Sequence, residues 1–280
     1  MPTFFSDRPP GGIGLAIFLN AGDPSFDHLA EMVPMLDRGG VDCLELAVPF
    51  PDSVSDGPVI RRSAERGLAG GADLASVLTF LDRIRPGLSH LRIALLVDWS
   101  HSVRAAGLDE VFRRAQGAGA DAILVHGLPP RLRAAHDDAA GRTGLPVVTT
   151  GYATSQPGIL DDMARRASAY FYLVAQYGRT GTAPARGYDA LAPVIGALRR
   201  VTTVPVAVGF GVTRADQVEA LRRAGADAAI VGSACAAAIE AALRLGRDPV
   251  EDLAAFVQGL RPSPVRSAEG AVRFAEERPA

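Results

Sequence analysis

Eight short apolar runs, rich in Val, Ile and Leu, recur along the chain. Between them lie segments whose apolar positions repeat with a helical period, and glycines precede several of the runs. A strand that is buried on both faces has an uninterrupted apolar sequence, whereas a helix packed on a sheet is apolar on one side only. The pattern therefore predicts parallel strands joined by helices. The predicted strands lie at residues 15–19, 43–48, 93–97, 122–125, 146–149, 170–174, 204–208 and 228–231.

Eight strands alternating with helices are typical of an α/β protein with a (β/α)8 TIM barrel, a fold that forms one domain of about 250 residues. We predict a single barrel domain over residues 1–262 and a C-terminal extension or tail over residues 263–280. A doubly wound open sheet is the alternative, but the turn at residues 19–24 lacks the glycine-rich dinucleotide pattern. In a TIM barrel the reactive side chains lie at the C-terminal ends of the strands, so chemistry is expected there.

The second apolar run is interrupted by a carboxylate, Glu45. Side chains alternate between the two faces of a strand, so Glu45 lies opposite Leu44 and Leu46 and is expected to point into the barrel. Burial raises the pKa of a carboxyl group toward neutrality, and such a group can both give and take a proton at pH 7. A structural Glu paired with an Arg or a hydroxyl is the alternative.

The segment that follows this strand, residues 49–58, is rich in Pro and Ser and carries Asp52 and Asp56. Such a composition is typical of an active-site loop, although a single Asp there is also a common turn or helix cap. Because the loop leaves the strand of Glu45, Asp56 is expected at the same mouth of the barrel. The two carboxyl groups together indicate acid–base catalysis.

Glycines occur in three consecutive connections on the other side of the predicted barrel. They lie at residues 178–181 after the sixth run, at 208–211 after the seventh and at 232–233, where a helix opens after the eighth. Backbone N–H groups beside glycines and at helix N-termini bind anions, and barrels of this kind commonly bind phosphate there. The turns predict a phosphorylated small-molecule substrate.

The composition restricts both mechanism and partners. The chain has 29 basic and 31 acidic residues, a formal net charge of −2, and no lysine. A chain without lysine cannot form a Schiff base with a substrate or with pyridoxal phosphate. Near-neutral charge argues against a nucleic-acid or membrane partner, and no uncharged apolar run reaches the length of about 18 residues that spans a bilayer. We expect a cytoplasmic protein.

Metal chemistry is not expected either. The five histidines are dispersed, and no His, Cys or Asp cluster has the spacing of metal ligands. The two cysteines, Cys43 and Cys235, each lie in an apolar run and are expected to be buried, reduced thiols. His126 comes at the end of the fourth run and is expected to line the pocket.

These motifs resemble the tryptophan synthase alpha subunit family. Residues 44–58 resemble its signature around the catalytic Glu and Asp, and five further segments match in order and spacing. The resemblance implies a TIM barrel that cleaves indole-3-glycerol phosphate to indole and glyceraldehyde 3-phosphate by a retro-aldol reaction without a cofactor. The further segments are residues 18–24, 171–174, 178–181, 208–211 and 232–234.

The resemblance also implies a role for each matched residue. Glu45 takes a proton from the glycerol hydroxyl and gives one to the indole C3 atom, while Asp56 binds the ring N–H. Tyr172 supports Glu45. The phosphate is held by Gly181, Gly211, Gly232 and Ser233. The expected substrate pocket consists of Phe18, which packs on the ring, and of Asp98, His126, Thr180 and Phe210.

Several positions depart from the family pattern. Residues 51–53 read Pro-Asp-Ser where the family has Ser-Asp-Pro, and residues 98–100 read Asp-Trp-Ser where it has an aromatic or Asn-containing stretch. Gly127 stands where the family has Asp, and residues 175–181 also differ. Since the loop at 51–53 normally contacts a tryptophan synthase beta-type subunit, we expect a stand-alone lyase, with such a subunit as the alternative partner.

Two other functions stay open. One is a related lyase or aldolase that acts on a different phosphorylated substrate, which Asp98 and His126 suggest. The other is a weakly active subunit that mainly docks on a partner enzyme.

Overall fold

A computed structural model describes residues 4–5, 11–175, 187–209 and 211–261 of the 280-residue chain. Its eight strands are all parallel and form one sheet in the order β4-β3-β2-β1-β8-β7-β6-β5. A parallel bridge between Ile123 and Val147 joins the two edges and closes the sheet into a barrel. The strands are β1 (Gly14–Asn20), β2 (Cys43–Ala47), β3 (Arg92–Asp98), β4 (Ala122–His126), β5 (Val148–Tyr152), β6 (Tyr170–Val174), β7 (Val206–Gly209) and β8 (Ala228–Val231).

Helices connect the strands around the outside of the barrel. The main helices are α1 (Phe26–Arg38), α2 (Pro58–Ala69), α3 (Leu74–Ile84), α4 (Leu108–Gly117), α5 (Arg133–Thr143), α6 (Pro157–Arg166), α7 (Ala192–Leu198), α8 (Ala215–Arg223), α9 (Ser233–Leu245) and α10 (Pro249–Gly259). Shorter helical turns lie at Arg85–Gly87, Trp99–Val103, Pro130–Leu132 and Tyr188–Leu191. The predicted TIM barrel is confirmed, while the predicted boundary at residue 262 lies at the edge of the described part and stays a prediction.

The fifth strand differs from its prediction. It was expected at residues 146–149 but runs from Val148 to Tyr152 and pairs with β6 along that length. The strand continues through Gly151, where a side chain would collide with the ring of Phe171 and with Leu160. A glycine can therefore belong to a buried strand because its neighbours already fill the space.

Alternate residues of the strands pack into two separate cores. The larger core lies between the sheet and the helices, and it includes Leu44 and Leu46 of β2. The inner core fills the barrel and contains several small residues, among them Ala94, Ala122 and Ala228. The predicted alternation of β2 is confirmed, since Cys43 belongs to this inner core. The cysteines of the described chain are buried free thiols, and burial raises the pKa of each one.

Three turns of the form Gly-X-Asp close the N-terminal end of the barrel. In each, an aspartate just before one strand accepts the N–H of a residue at or near the start of a neighbouring strand. Asp42 accepts from Leu15 at 2.7 Å, Asp121 from Ile93 at 2.8 Å and Asp227 from Val206 at 2.6 Å. Glycines with positive φ precede them, at 71°, 89° and 90°, because the chain must turn sharply there. The three Gly-X-Asp segments thus share one local structure.

Helix α2 is docked tightly on the end of β1, and it carries the loop that contains Asp56. The amide of Asn20 donates to Ser63 at 3.0 Å, and Arg66 makes a two-pronged ion pair with the buried Asp23 at 2.6 and 2.9 Å. At Gly67, a Cβ atom would collide with the carbonyl oxygen of Ala21. Glycine at this position lets the helix approach the barrel closely.

We expect Gly67→Ala to destabilise the protein by about 1–3 kcal/mol, because the added methyl group must push α2 away from β1. Gly141→Ala in α5 is the matched control, since a Cβ there meets nothing within 4 Å. It should stabilise the helix by up to about 1 kcal/mol, because alanine favours helix over glycine. Urea unfolding of both variants measures the difference, and equal effects at the two sites would contradict the close-packing argument.

Candidate active site

A cavity opens at the C-terminal ends of the strands, as expected for this fold. It brings together many of the residues predicted from the sequence. Those that line it are Phe18, Glu45, Asp56, Asp98, His126, Tyr172, Gly211, Gly232 and Ser233. The remaining predicted residues, Thr180, Gly181 and Phe210, lie outside the described residues.

Glu45 is buried in the wall of this cavity, with 1% of its surface exposed. In the sheet it stands between Phe18 of β1 and Ala94 of β3. Its Oε1 atom accepts a hydrogen bond of 2.6 Å from the hydroxyl of Tyr170. Its Oε2 atom is also buried and has no hydrogen-bond partner among the described residues. One oxygen is thus fixed by Tyr170, while the other is enclosed without a hydrogen bond from the described part of the chain.

The environment of Glu45 changes its acidity. Burial raises the pKa of this carboxyl to about 7, and the hydrogen bond from Tyr170 opposes the rise. A pKa near neutrality means that both protonation states are populated at physiological pH. Glu45 is therefore suited to act as an acid in one step and as a base in another.

The tyrosine that supports Glu45 is Tyr170, which corrects the expectation for Tyr172. Both residues point inward because they are two positions apart on β6. Tyr170 lies deeper and is fully buried, whereas Tyr172 is half-buried and lines the cavity. Burial first, and then the neighbouring Glu45 and Cys43, raise the pKa of Tyr170, so its hydroxyl stays protonated and can donate. Tyr172 therefore lines the cavity, above the hydrogen bond that Tyr170 makes with Glu45.

Asp56 faces the cavity from the loop between β2 and α2. The residue at the N-cap of α2 is Gly57, so the carboxyl of Asp56 is not the cap of that helix. Burial raises the pKa of this carboxyl, while Ser53, His126 and Arg61 oppose the rise. The Arg61 side chain also donates to the backbone carbonyl of Asp56 at 2.9 Å, which fixes the end of the loop.

Polar side chains occupy the part of the cavity wall formed by β3 and β4. The buried Asp98 accepts three hydrogen bonds at its Oδ1 atom, from the N–H of Ser100 at 2.9 Å and from the N–H and ring Nδ1 of His101 at 3.0 and 2.7 Å. The ring of Phe50 stacks on His101 and on His126, with ring centres 5.2 and 6.0 Å apart. The loop after β2 is therefore attached to the neighbouring connections.

The opposite side of the cavity is suited to an anion. Gly232 precedes α9, a helix of 13 residues, and Ser233 is its first residue. The first N–H groups of a helix have no partner within it, and together with the helix dipole they attract negative charge. Gly211, with φ of 73°, lies beside them in the same wall. A Cβ at Gly232 would lie 3.2 Å from that of Phe18, so glycine also makes room for this ring.

The described residues include no group of three or more His, Cys, Asp and Glu side chains that could hold a metal ion. No described helix is both long and apolar enough to cross a membrane. The cavity thus combines an apolar floor, two carboxyl groups with raised pKa values and an anion-binding helix terminus. Such a site can move protons on a phosphorylated substrate.

Comparison with known proteins agrees with this arrangement. Residues 6–263 match the family described as "Tryptophan synthase alpha chain". The sequence is similar to the tryptophan synthase alpha chain of Gloeobacter violaceus, with 38% identity over 78% of each chain. It is also similar to that of Geobacter sulfurreducens, with 36% identity over 88% of this chain and 91% of the other.

Solved structures give the same result for the fold. The barrel is similar to the tryptophan synthase alpha subunit of Pyrococcus furiosus, with a TM-score of 0.78 and 29% identity over 88% of this chain and 97% of the other. It is equally similar, with a TM-score of 0.78 and 28% identity over the same shares, to a chain from the α2β2 tryptophan synthase complex of that organism.

The raised pKa of Glu45 has a consequence for stability. Folding favours the protonated carboxyl, so the stability it contributes is fully present below the unfolded pKa of 4.5 and is lost as the pH rises to about 7. Glu45→Gln keeps the group uncharged at every pH. We expect this variant to exceed the original protein in unfolding free energy by up to about 3 kcal/mol above pH 7.

Urea unfolding between pH 4 and pH 9 measures this gap, which should grow between pH 4.5 and 7 and level off above. Glu31→Gln is the control, because Glu31 is exposed on α1. Its effect should be small across the range. A gap that is constant with pH would contradict the assigned burial of the Glu45 charge.

Proposed function

Because the chain belongs to the tryptophan synthase alpha chain family, whose members are lyases acting on indole-3-glycerol phosphate, we propose that it cleaves this substrate as a stand-alone enzyme of tryptophan or indole biosynthesis. The products are indole and glyceraldehyde 3-phosphate. The observation that carries the proposal is Glu45, a buried carboxyl with a pKa of about 7 and one unpaired oxygen in the cavity wall.

The proposed reaction breaks the bond between the indole C3 atom and the first carbon of the glycerol chain. Protonated Glu45 gives its proton to C3, and the ring thereby becomes the iminium form of the indolenine. The resulting carboxylate takes the proton of the adjacent hydroxyl, and that oxygen becomes the carbonyl of glyceraldehyde 3-phosphate. The electron pair of the broken bond returns to the ring, and indole leaves. Glu45 ends protonated as it began, and no cofactor enters these steps.

Asp56 supplies the negative charge that complements the positive charge of the protonated ring. When C3 is protonated, positive charge develops on the ring nitrogen, and a carboxylate that binds the N–H stabilises that charge. Asp56 faces the cavity and is held by its own loop, which supports this role. Phe18 beside Glu45 offers an apolar surface to the ring.

The order of the strands supports one orientation of the substrate. The phosphate is bound at Gly211, Gly232 and Ser233, beside β7 and β8, with Gly181 as a further predicted ligand. In the closed barrel β8 is opposite β4 and β7 is opposite β3. A substrate whose phosphate lies at α9 therefore extends its ring past Glu45 toward Asp98 and His126.

Stand-alone activity is supported by contacts within the chain. The loop that carries Asp56 is attached by the stacking of Phe50 on two histidines and by Arg61, without help from another subunit. A beta-type subunit is the alternative partner, because a chain of the Pyrococcus furiosus α2β2 complex is among the similar structures. Loop residue Val54 is 88% exposed and would be available to such a partner.

We expect the purified protein alone to release indole from indole-3-glycerol phosphate, and Glu45→Gln to lower kcat at least about a hundredfold, the usual effect of losing a general acid–base group. The exposed Glu31→Gln is the control and should keep full activity. Indole is measured by chromatography, with and without an added tryptophan synthase beta subunit.

The outcomes separate the alternatives. Indole release only with the beta subunit would contradict stand-alone activity but keep the lyase. No release under either condition would contradict the lyase itself. Activity that is undiminished in Glu45→Gln would favour a docking subunit in which this residue is not the acid or base.

A second candidate is the same cleavage on a different phosphorylated substrate, favoured by the carboxyl of Asp98 and the imidazole of His126 at the ring end of the cavity. Polar groups there suit a ring that carries a hydrogen-bonding substituent such as a hydroxyl. If so, kcat/KM should be at least about tenfold higher for a ring-hydroxylated indole-3-glycerol phosphate, the effect of one good hydrogen bond.

His126→Ala should remove most of that preference, measured as the ratio of kcat/KM for the two substrates in the same variant. A preference that is absent in the original protein, or unchanged in His126→Ala, argues for the unsubstituted substrate.

A further inference from the structure

Two consecutive phenylalanines close the N-terminal end of the barrel, directly below the catalytic carboxyl. Phe4 is 1% exposed and belongs to the inner core, and Phe5 packs against the same core. Both rings contact Tyr170, with ring centres 5.3 Å from Phe4 and 5.4 Å from Phe5. Tyr170 is thus held from below by Phe4 and Phe5, here called the aromatic plug.

The first residue of β1 is adapted to this plug. A Cβ atom at Gly14 would lie 2.7 Å from the ring of Phe5, a distance that real Cβ contacts do not show. Any other residue at the start of β1 would displace Phe5. The glycine therefore admits the ring into the barrel.

The plug fills a space that the strands leave open. The inner core contains small side chains such as Ala94, Ala122 and Ala207, which cannot fill the centre of the barrel. Tyr170 and the two phenylalanines fill it, together with Leu124, Val148 and Ile230. Without them, water could reach the hydrogen bond between Tyr170 and Glu45 from the N-terminal side.

We propose that Phe4 and Phe5 are positioning residues for the acid–base step, which hold the hydroxyl of Tyr170 against Glu45 and keep water away from this carboxyl. The role in catalysis rests on the proposed function. The effect on Glu45 itself does not, because it follows from packing alone.

Because the groups nearest Glu45 are uncharged near neutral pH, access of water is the main factor that sets the pKa of this carboxyl. Cys43 on its own strand and Tyr170 and Tyr172 on β6 all have pKa values raised by burial, so they are uncharged near neutral pH. The flanking strands present Phe18 and Ala94 at the same level. The other carboxyl and imidazole side chains that line the cavity are Asp56, Asp98 and His126, which lie at the C-terminal ends of the strands, away from the plug. Admitting water from below should therefore lower the pKa of Glu45 toward its ordinary value.

The test compares Phe4→Ala with Phe4→Leu, which keeps an apolar side chain in the barrel. In Phe4→Ala we expect the alkaline limb of kcat, where Glu45 loses the proton that it gives to C3, to move down by at least about half a pH unit and kcat to fall about tenfold at neutral pH, with KM within about twofold. Phe4→Leu should restore most of both. Phe112→Ala is the control for lost packing, because Phe112 is fully buried in the outer core, and it should leave the alkaline limb in place.

A second measurement does not depend on activity. The stability gap produced by Glu45→Gln at pH 8 should shrink by at least about a fifth when Phe4→Ala is also present, because a fall of about half a unit in a pKa raised from 4.5 to about 7 removes that share of the gap. If the Phe4→Ala protein does not fold, Phe5→Ala replaces it, since Phe5 is only half-buried.

An unchanged gap and an unchanged alkaline limb would overturn the proposal and leave the plug a purely structural element. A smaller gap in a protein that releases no indole would support the effect of the plug on Glu45 while contradicting the proposed lyase function.

Discussion

The hydrogen bond of 2.6 Å between Tyr170 and Glu45 is the contact on which the interior of this barrel depends. An ionisable carboxyl inside a barrel is unfavourable for folding above neutral pH, so its surroundings must offset the cost elsewhere. They do so with small residues that make room for the pair, with a tyrosine that stays protonated, and with aromatic rings that close the space below. The second oxygen is left unpaired, which destabilises the free protein, and under the proposed function this oxygen meets the substrate.

The two sides of the cavity offer different kinds of chemical group. At α9 and Gly211 the groups are backbone N–H donors, which bind an anion at any pH. Across the mouth, Glu45 and Asp56 have pKa values that burial raises, so their charge depends on pH. Under the proposed function, affinity for the phosphate and the rate of proton transfer are therefore set by different parts of the fold. Loop contacts such as Phe50 on His101 connect the carboxyl side to β3.

The fold and the carboxyl pair could be predicted from the sequence because both follow from local periodicity. Uninterrupted apolar runs predicted the strands, and alternation placed Glu45 inside. Depth along a strand does not follow from alternation, since Tyr170 and Tyr172 share one face. Which hydroxyl reaches Glu45 depends on the relative height of β6 and β2, which stand on opposite sides of the barrel. The roles of Phe4 and Phe5 could not be predicted either, because they precede the first strand and depend on contacts with residues far along the chain.

The absence of lysine restricts the kinds of side chain that can transfer protons in this site. The basic residues are arginines, which stay charged near neutral pH and here form ion pairs with carboxylates, as Arg66 does with Asp23 and Arg62 with Glu240. Among the described residues that line the cavity there is no arginine. Proton transfer in this part of the site thus falls to carboxyl, phenol and imidazole groups, and the phenols are held protonated by burial. Burial raises the pKa of Glu45, the proposed acid–base group, to about 7, so under the proposed function the barrel interior that sets this value also sets the pH range of activity.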